Sequence, residues 1–299
     1  MKHQNSRFVQ GSLHLAARLA LVLSLVVVAT GGLATPGQAA GMSTHQLLLY
    51  WAVDALDDKY DALATMLVNQ KDAFYSGAIF PDWGYAADVN GCDHCGDLGE
   101  AAHWPPFMDA YINYMRPKFK DPSEDDKKAI AFLFGLIAHN SADIPFHFGD
   151  NAFLTQALAN NESGANAYAG CLLAGITGHT CMELLVDELN LDRFGDWDEN
   201  YLWYPTADLQ AVYAQAGHTV TDADLLAGYN KQKELYGLEN QAHNLFPTWL
   251  IFNVDWVKGN LDNHPDGGMN DMASHIAEEW QKTWDDMSTS RTYLPMVNR

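Results

Sequence analysis

Apolar residues recur at helical spacing along almost the whole chain, and this pattern leaves little room for a sheet. The first such stretch covers residues 45–56, and Ser43 and Thr44 offer an N-cap just before it. The alternation of apolar and polar residues that is typical of a strand is nearly absent. Further helical stretches are predicted at 60–69, 104–115, 124–140, 166–189, 206–216, 223–235, 238–258 and 271–287. The sequence therefore predicts an all-α fold, a compact multi-helix domain.

The beginning of the chain has the pattern of a cleaved export signal. Three basic residues, Lys2, Arg7 and Arg18, precede an apolar stretch at 19–29, and small residues follow at 37–40. That stretch is too short for a spanning helix, which needs about 20 apolar residues. We expect a signal peptide at 1–39 and a mature chain, 40–299, that is one domain because no long linker divides it. The mature protein is expected to be secreted, either extracellular or periplasmic.

The chain is strongly acidic. It has 17 Lys and Arg against 38 Asp and Glu, and removal of three basic residues with the signal changes the balance to 14 minus 38, or −24. Such a surface repels polyanions unless bound cations reverse its sign locally. No stable nucleic-acid complex is therefore expected, and the charge disfavours an anionic membrane.

Four cysteines in an exported chain suggest disulfides. Cys92 and Cys95 form one close couple, and Cys171 and Cys181 form another. Pairing within each couple is the simplest interpretation. A C-x-x-C pair can also bind a structural zinc, but the sequence offers no second pair of this kind.

Two Gly- and Asp-rich stretches, 80–102 and 260–268, interrupt the helical pattern. Loops longer than about 12 residues in a compact domain usually have a function or are disordered. We expect 80–102 to form one wall of a site and 260–268 another, with ordinary solvated loops as the alternative.

The strongest local signal is a series of polar residues at four-residue spacing, His139, Asp143 and His147. Four residues advance a helix by about 40° past a full turn, so neighbours in this series lie near one face. Pro145 disfavours regular helix, and we expect the helix to end or kink there. His147 would then point towards a different metal from the one that His139 holds.

A second pair with the same spacing is His179 and Glu183. Neutral imidazole and carboxylate are ligands that zinc takes in catalytic sites. A single His on an apolar helix is more often a hydrogen-bonded core residue, but leaving five such groups unpaired would cost about 1–3 kcal/mol each. The repeated spacing therefore favours a metal site. His45, Asp82 and His103 are further candidates, each weak when taken alone.

The order of these residues resembles the zinc-dependent phospholipase C superfamily, most closely its glycosylphosphatidylinositol-specific phospholipase D branch. The resemblance covers essentially the whole mature chain. The segments that carry it are 41–45 (GMSTH), 76–82 (SGAIFPD), 103–107 (HWPPF), 131–143 (AFLFGLIAHNSAD), 203–205 (WYP) and 268–273 (GMNDMA). Only three residues separate Asp143 from His147, which is the spacing of that branch and not of the bacterial phospholipase C and nuclease branches.

The resemblance implies three zinc ions, Zn²⁺, with imidazole and carboxylate ligands. For the first two ions it implies Asp82, His103, His139 and Asp143 on one, and His147, His179 and Glu183 on the other.

For the third ion the resemblance implies His45, a bridging Asp143, and the amine and carbonyl of the mature N-terminal residue. Ala40 is the predicted N-terminal residue because it lies five positions before His45, the spacing found in the nuclease branch. A start at Gly41 is the alternative.

The implied function is hydrolysis of a phospholipid or phosphatidylinositol-anchor phosphodiester, with peripheral membrane contact and a zinc-activated water. Asp82 is the predicted catalytic group that orients or deprotonates this water. One alternative is an extracellular nuclease or 3′-nucleotidase, in which Trp83, Tyr85, Trp104 or Phe148 would stack on bases. The other is a non-catalytic zinc-binding recognition protein.

Overall fold

The computed structural model describes residues 41–88, 92–160, 178–195, 202–245 and 254–289. Within these ranges the chain is helical and contains no strand, which confirms the all-α prediction. The α-helices are α1 (Met42–Asp54), α2 (Asp61–Asn69), α3 (Lys71–Ile79), α4 (Trp83–Asp88), α5 (Cys95–Ala102), α6 (Pro105–Met115), α7 (Glu124–His147), α8 (Phe153–Ala159), α9 (His179–Phe194), α10 (Thr206–Gln215), α11 (Asp222–Leu245), α12 (Asp255–Asn260) and α13 (Met269–Thr289). Short 3-10 helices cover Asp58–Tyr60, Phe80–Asp82 and Arg116–Lys118. The predicted signal peptide lies outside the described residues.

The prediction of an open loop at 80–102 is wrong. The 3-10 helix Phe80–Asp82, α4 and α5 occupy most of this stretch, and a disulfide joins Cys92 to Cys95 at the start of α5. These helices have three to eight residues, too few for a periodic apolar pattern to be recognised against many glycines. Cys181 is also disulfide-bonded, whereas Cys171, its predicted partner, lies outside the described residues.

The helix that carries His139 does not end at Pro145. It continues to His147, and the backbone N–H of Phe148 still donates to the Ile144 carbonyl at 3.0 Å. Proline removes one donor from a helix, and Pro145 lies in the last turn, where little helix remains to be disrupted. His147 therefore stays one turn beyond Asp143 on the same helix.

Helix α7 forms the centre of the fold. Ser123 caps it: the Ser123 hydroxyl accepts from the Asp126 N–H at 3.1 Å, while the Asp126 carboxylate accepts from the Ser123 N–H at 3.2 Å. Helices α3 and α13 pack against its sides. By length and composition α7 could cross a membrane, but 78% of its most apolar window is buried inside the protein. It is thus the core helix, and the polar residues on it are held inside the protein.

Two glycines let α3 and α7 cross with their backbones in contact. A Cβ atom at Gly77 would collide with the Phe132 carbonyl, and a Cβ atom at Gly135 would collide with the Phe74 carbonyl. Gly77 is next to Ala78, and Gly135 lies one turn before His139. The close crossing therefore fixes where the α3 backbone lies relative to the first histidine of α7.

We predict that Gly135→Ala lowers the free energy of unfolding by about 1–3 kcal/mol, because the added methyl group meets backbone that cannot rotate away. Gly237→Ala is the matched control, since Gly237 also lies within a helix and has nothing within 4 Å of its Cβ position. Alanine there should stabilise α11 by about 0.5–1 kcal/mol. Denaturant unfolding measures both, and equal effects of the two substitutions would contradict the close crossing.

Candidate metal centre

Two histidines face each other at the centre of the site, and backbone carbonyls set the tautomer of each neutral ring. His139 is fully buried on α7, and its Nδ1 donates to the Ala78 carbonyl at 2.7 Å. His103, which follows α5, donates from Nδ1 to the Gly99 carbonyl at 2.9 Å. A carbonyl can only accept, so in the neutral rings each Nε2 carries a lone pair. These two Nε2 atoms are 3.1 Å apart, and a cation between them would remove their repulsion.

Two carboxylates complete this first group. Asp82 Oδ1 lies 3.4 Å from His103 Nε2 and 4.0 Å from His139 Nε2. Asp143 Oδ2 lies 3.2 Å from His139 Nε2 and 4.0 Å from His103 Nε2. The structure thus brings together the four residues that the sequence predicts for the first ion.

Asp143 connects this group to the two others. Its Oδ1 lies 3.4 Å from His45 Nε2 and 3.8 Å from His147 Nε2, so each oxygen faces a different set of imidazoles. The ring of His45 stacks on that of His139, with centroids 3.8 Å apart. The structure therefore brings together His45 and Asp143, the two side chains that the resemblance implies for the third ion. Ala40, the remaining predicted ligand residue, lies outside the described residues.

The second group joins the end of α7 to the start of α9. The rings of His147 and His179 stack with centroids 4.6 Å apart. Glu183 Oε1 lies 2.6 Å from His179 Nε2 and 3.7 Å from His147 Nε2. Because His179 and Glu183 are one turn apart on α9, a single helix presents both side chains to His147.

The donor atoms of these groups suit zinc. Zinc bonds of 2.0–2.1 Å in a tetrahedron place two ligand atoms about 3.3 Å apart, and the distances of 3.1 to 3.4 Å between ligand atoms in the first group and at His45 match that value. Both ring nitrogens of His45 and of His147, and Asp82 Oδ1, are buried and have no hydrogen-bond partner among the described residues. Burying such groups without a partner is costly, and a metal ion is the partner that their chemistry fits.

Burial keeps the histidines of the second group in the form that binds metal. It lowers the pKa of His147 to about 4, and it also lowers the pKa of His179. For Asp143, burial alone raises the pKa, whereas positive charge on His139 and His45 would lower it, and a metal cation held by these rings would act in the same direction. Neutral imidazoles and an ionised carboxylate are the states that coordinate a metal ion.

A further cluster contains Cys92, Cys95, His94 and Asp224. Its two sulfur atoms are joined in the disulfide, so they are not thiolates that could bind zinc. The disulfide prediction is confirmed for this couple, in preference to a structural zinc.

A cavity of about 450 Å³ opens beside the first group. His103 and Asp143 line it together with Tyr85 and Glu100, so the stretch 80–102 contributes to its wall even though it is helical. Other lining residues, mostly apolar, are Trp104, Pro105, Met108, Asp109, Ile112, Ile137, Asn140, Ser141, Ile144, Pro145, Phe148, His275, Glu279 and Thr283. No residue of 260–268 is among them, so the cavity offers no support for the second predicted wall.

One buried residue that the sequence analysis missed, Asp187, sets the start of α1. Gly41 is the N-cap residue of α1 and has no side chain to accept from the N–H of Thr44 at N3. Asp187 Oδ1 on α9 accepts from this N–H at 2.9 Å and from the Thr44 hydroxyl at 2.6 Å. A Cβ atom at Gly41 would collide with the same carboxylate. Asp187 thus acts as a cap supplied by another helix, one turn beyond Glu183 and next to the turn that carries His45.

We predict a non-additive effect of Asp187 and Gly41 on stability and metal content. Asp187→Ala leaves a buried donor unpaired and should lower the free energy of unfolding by about 1–3 kcal/mol. Gly41→Ser alone should also destabilise, since its side chain meets the carboxylate. With Asp187→Ala, however, the serine has room to cap α1 itself and should restore stability and zinc content. Denaturant unfolding and elemental analysis are carried out on both single variants and on the double variant. A loss in the double variant that equals the sum of the two single losses would contradict the prediction.

Residues 44–235 match the family model described as zinc dependent phospholipase C. Phosphatidylinositol-glycan-specific phospholipase D of Homo sapiens is 28% identical over 260 residues, 83% of this chain and 29% of that protein. The protein of the same name from Mus musculus is 30% identical over 246 residues, 79% of this chain and 27% of its own length. This chain therefore spans less than a third of these relatives. No solved structure gives a significant match. The match over most of the helical domain places the chain in the zinc-dependent phospholipase C family, a family of phosphodiester hydrolases.

Proposed function

We propose that this protein is exported and hydrolyses the phosphodiester bond of a phospholipid or a phosphatidylinositol-anchor lipid, using three zinc ions. Its catalytic domain would be residues 40–299, after removal of a signal peptide at 1–39. The family match supports the reaction class. The names of the relatives, which act on phosphatidylinositol-glycan, support a lipid substrate.

The observation that carries the metal assignment is the pair of facing Nε2 atoms of His103 and His139, 3.1 Å apart. Each ring donates its only proton away from the partner, to a carbonyl. With both rings neutral, the two imidazole lone pairs and the two carboxylates repel one another in this buried site, and a bound cation offsets that repulsion. The arrangement therefore supports metal binding more strongly than the spacing in the sequence does.

Zinc bound there would lower the pKa of a water molecule towards neutrality and offset charge on the phosphoryl oxygens. Asp143 would keep the ions close to one another, since its two oxygens face different histidines. The side chain of Asp82 is 18% exposed although its Oδ1 is buried. Asp82 could thus hold a metal with one oxygen and orient or deprotonate the attacking water with the other.

The nuclease alternative retains some support from aromatic side chains at the cavity. Trp104 and Phe148 are 45% and 49% exposed and could stack on bases, and Tyr85 also lines the cavity. Trp83 could not, because it is fully buried and its Nε1 donates to the Tyr213 hydroxyl at 2.8 Å. Mass spectrometry of products from mixed phospholipids and single-stranded RNA separates the two functions. Cleavage of RNA alone would exclude a lipid phosphodiesterase.

We predict that the purified mature protein holds close to three zinc ions and that Asp143→Ala lowers turnover of a chromogenic phosphodiester by more than about 100-fold. His139→Ala should lose activity and the zinc of the first group. His275→Ala is the matched control, because His275 lines the same cavity, is half-exposed and belongs to none of the three groups. Wild-type turnover and full zinc content in either of the first two variants would overturn the site assignment. Zinc without any turnover would favour a non-catalytic binding protein.

We predict that activity depends on a free N-terminus at Ala40. An N-terminal amine has a reference pKa of about 7.7–8.0 and can lose its proton to a metal. A tag fused before Ala40 should therefore lower both zinc content and turnover, whereas a tag after residue 299 should not. Full activity of the N-terminally tagged protein, or secreted protein that begins at Gly41, would contradict this assignment.

A further inference from the structure

Three large apolar side chains are exposed at the cavity of the metal centre. Ile144 is 62% exposed, Phe148 is 49% exposed and Trp104 is 45% exposed. All three line the same cavity as His103 and Asp143. Exposing such side chains together is unfavourable in water, and patches of this kind mark sites of contact with a partner or a membrane. We call these three residues the apolar rim.

The rim has the chemical character of a membrane boundary. The rings of Trp104 and Phe148 lie with centroids 6.5 Å apart, and Ile144 directly follows the metal-facing Asp143 on α7. The indole N–H of Trp104 donates to Glu100 Oε1 at 2.7 Å, so its polar atom is already paired while its ring stays exposed. Tryptophan with one paired polar atom and an exposed ring suits the region between lipid headgroups and acyl chains.

The charges around the rim indicate which kind of lipid surface it can contact. The described lining of the cavity contains Glu100, Asp109 and Glu279 but no lysine or arginine. These rim carboxylates, together with the excess of acidic over basic residues in the chain, disfavour an anionic lipid surface. Insertion of apolar side chains is then the remaining source of affinity, and it works on surfaces without net charge.

We propose that the apolar rim docks the protein on an uncharged or zwitterionic lipid surface. The rim inserts Trp104, Ile144 and Phe148 among the lipids, and the cavity mouth then faces the headgroups. Because the rim and two residues of the first metal group share one cavity, docking brings a lipid phosphodiester to the metal centre without removing the lipid from its layer. This inference rests on the proposed lipid substrate.

Docking can be tested apart from catalysis with vesicles of digalactosyldiacylglycerol, an uncharged lipid without a phosphodiester. The full protein should co-sediment with them, and affinity should change little between low and high salt. Ile144→Ser combined with Phe148→Ser should weaken binding by about 100-fold, a factor of about 10 for each lost side chain. Ile144→Trp should tighten binding. Leu226→Ser is the matched control: Leu226 is 57% exposed and does not line the cavity.

Each result of this experiment counts for or against docking. The docking proposal would be overturned if the wild type does not bind, if Leu226→Ser loses as much affinity as the double variant, or if the double variant binds as well as the wild type. Stronger binding to phosphatidylglycerol vesicles, lost at high salt, would also overturn it, because docking would then be electrostatic. Turnover of a soluble phosphodiester is measured separately. If turnover is absent while rim-dependent binding persists, the proposed function fails and the docking surface remains.

Discussion

The close crossing of α3 and α7 is the contact on which the site depends. Gly77 and Gly135 remove the side chains that would otherwise separate the two backbones. Only at this distance can a main-chain oxygen of α3 reach the ring of His139. The packing of the core helix and the tautomer of His139 thus depend on the same pair of glycines, so a change that loosens the crossing alters both at once.

Asp143 explains how so much polarity is tolerated inside an apolar helix. A single buried carboxylate serves imidazoles from α1, α7 and the end of α5, and each of them would be costly to bury alone. The negative charge and the surrounding imidazoles stabilise one another, and bound cations would neutralise the remaining negative charge. The rest of α7 is ordinary buried core, which holds these groups rigidly.

Much of this arrangement could be predicted from the sequence, since four-residue spacing reports which side chains share a helical face. That spacing singled out His139, Asp143, His147, His179 and Glu183, which the fold brings close together, and the family resemblance strengthened the weaker upstream candidates. Spacing could not identify Asp187, which touches Thr44 only because distant segments meet in the fold. The helices within 80–102 were missed because they are short and rich in glycine, and an end of the helix at Pro145 was wrong because proline in a final turn disrupts little helix.

The cap on α1 has a consequence for the order of events during folding. Thr44 and Asp187 are 143 positions apart, so the start of the first helix becomes fixed only after α9 has formed and docked. An unfolded chain has no such support for His45. The turn that carries His45 is then ordered late, and its contacts with the His139 ring and with Asp143 report a finished fold.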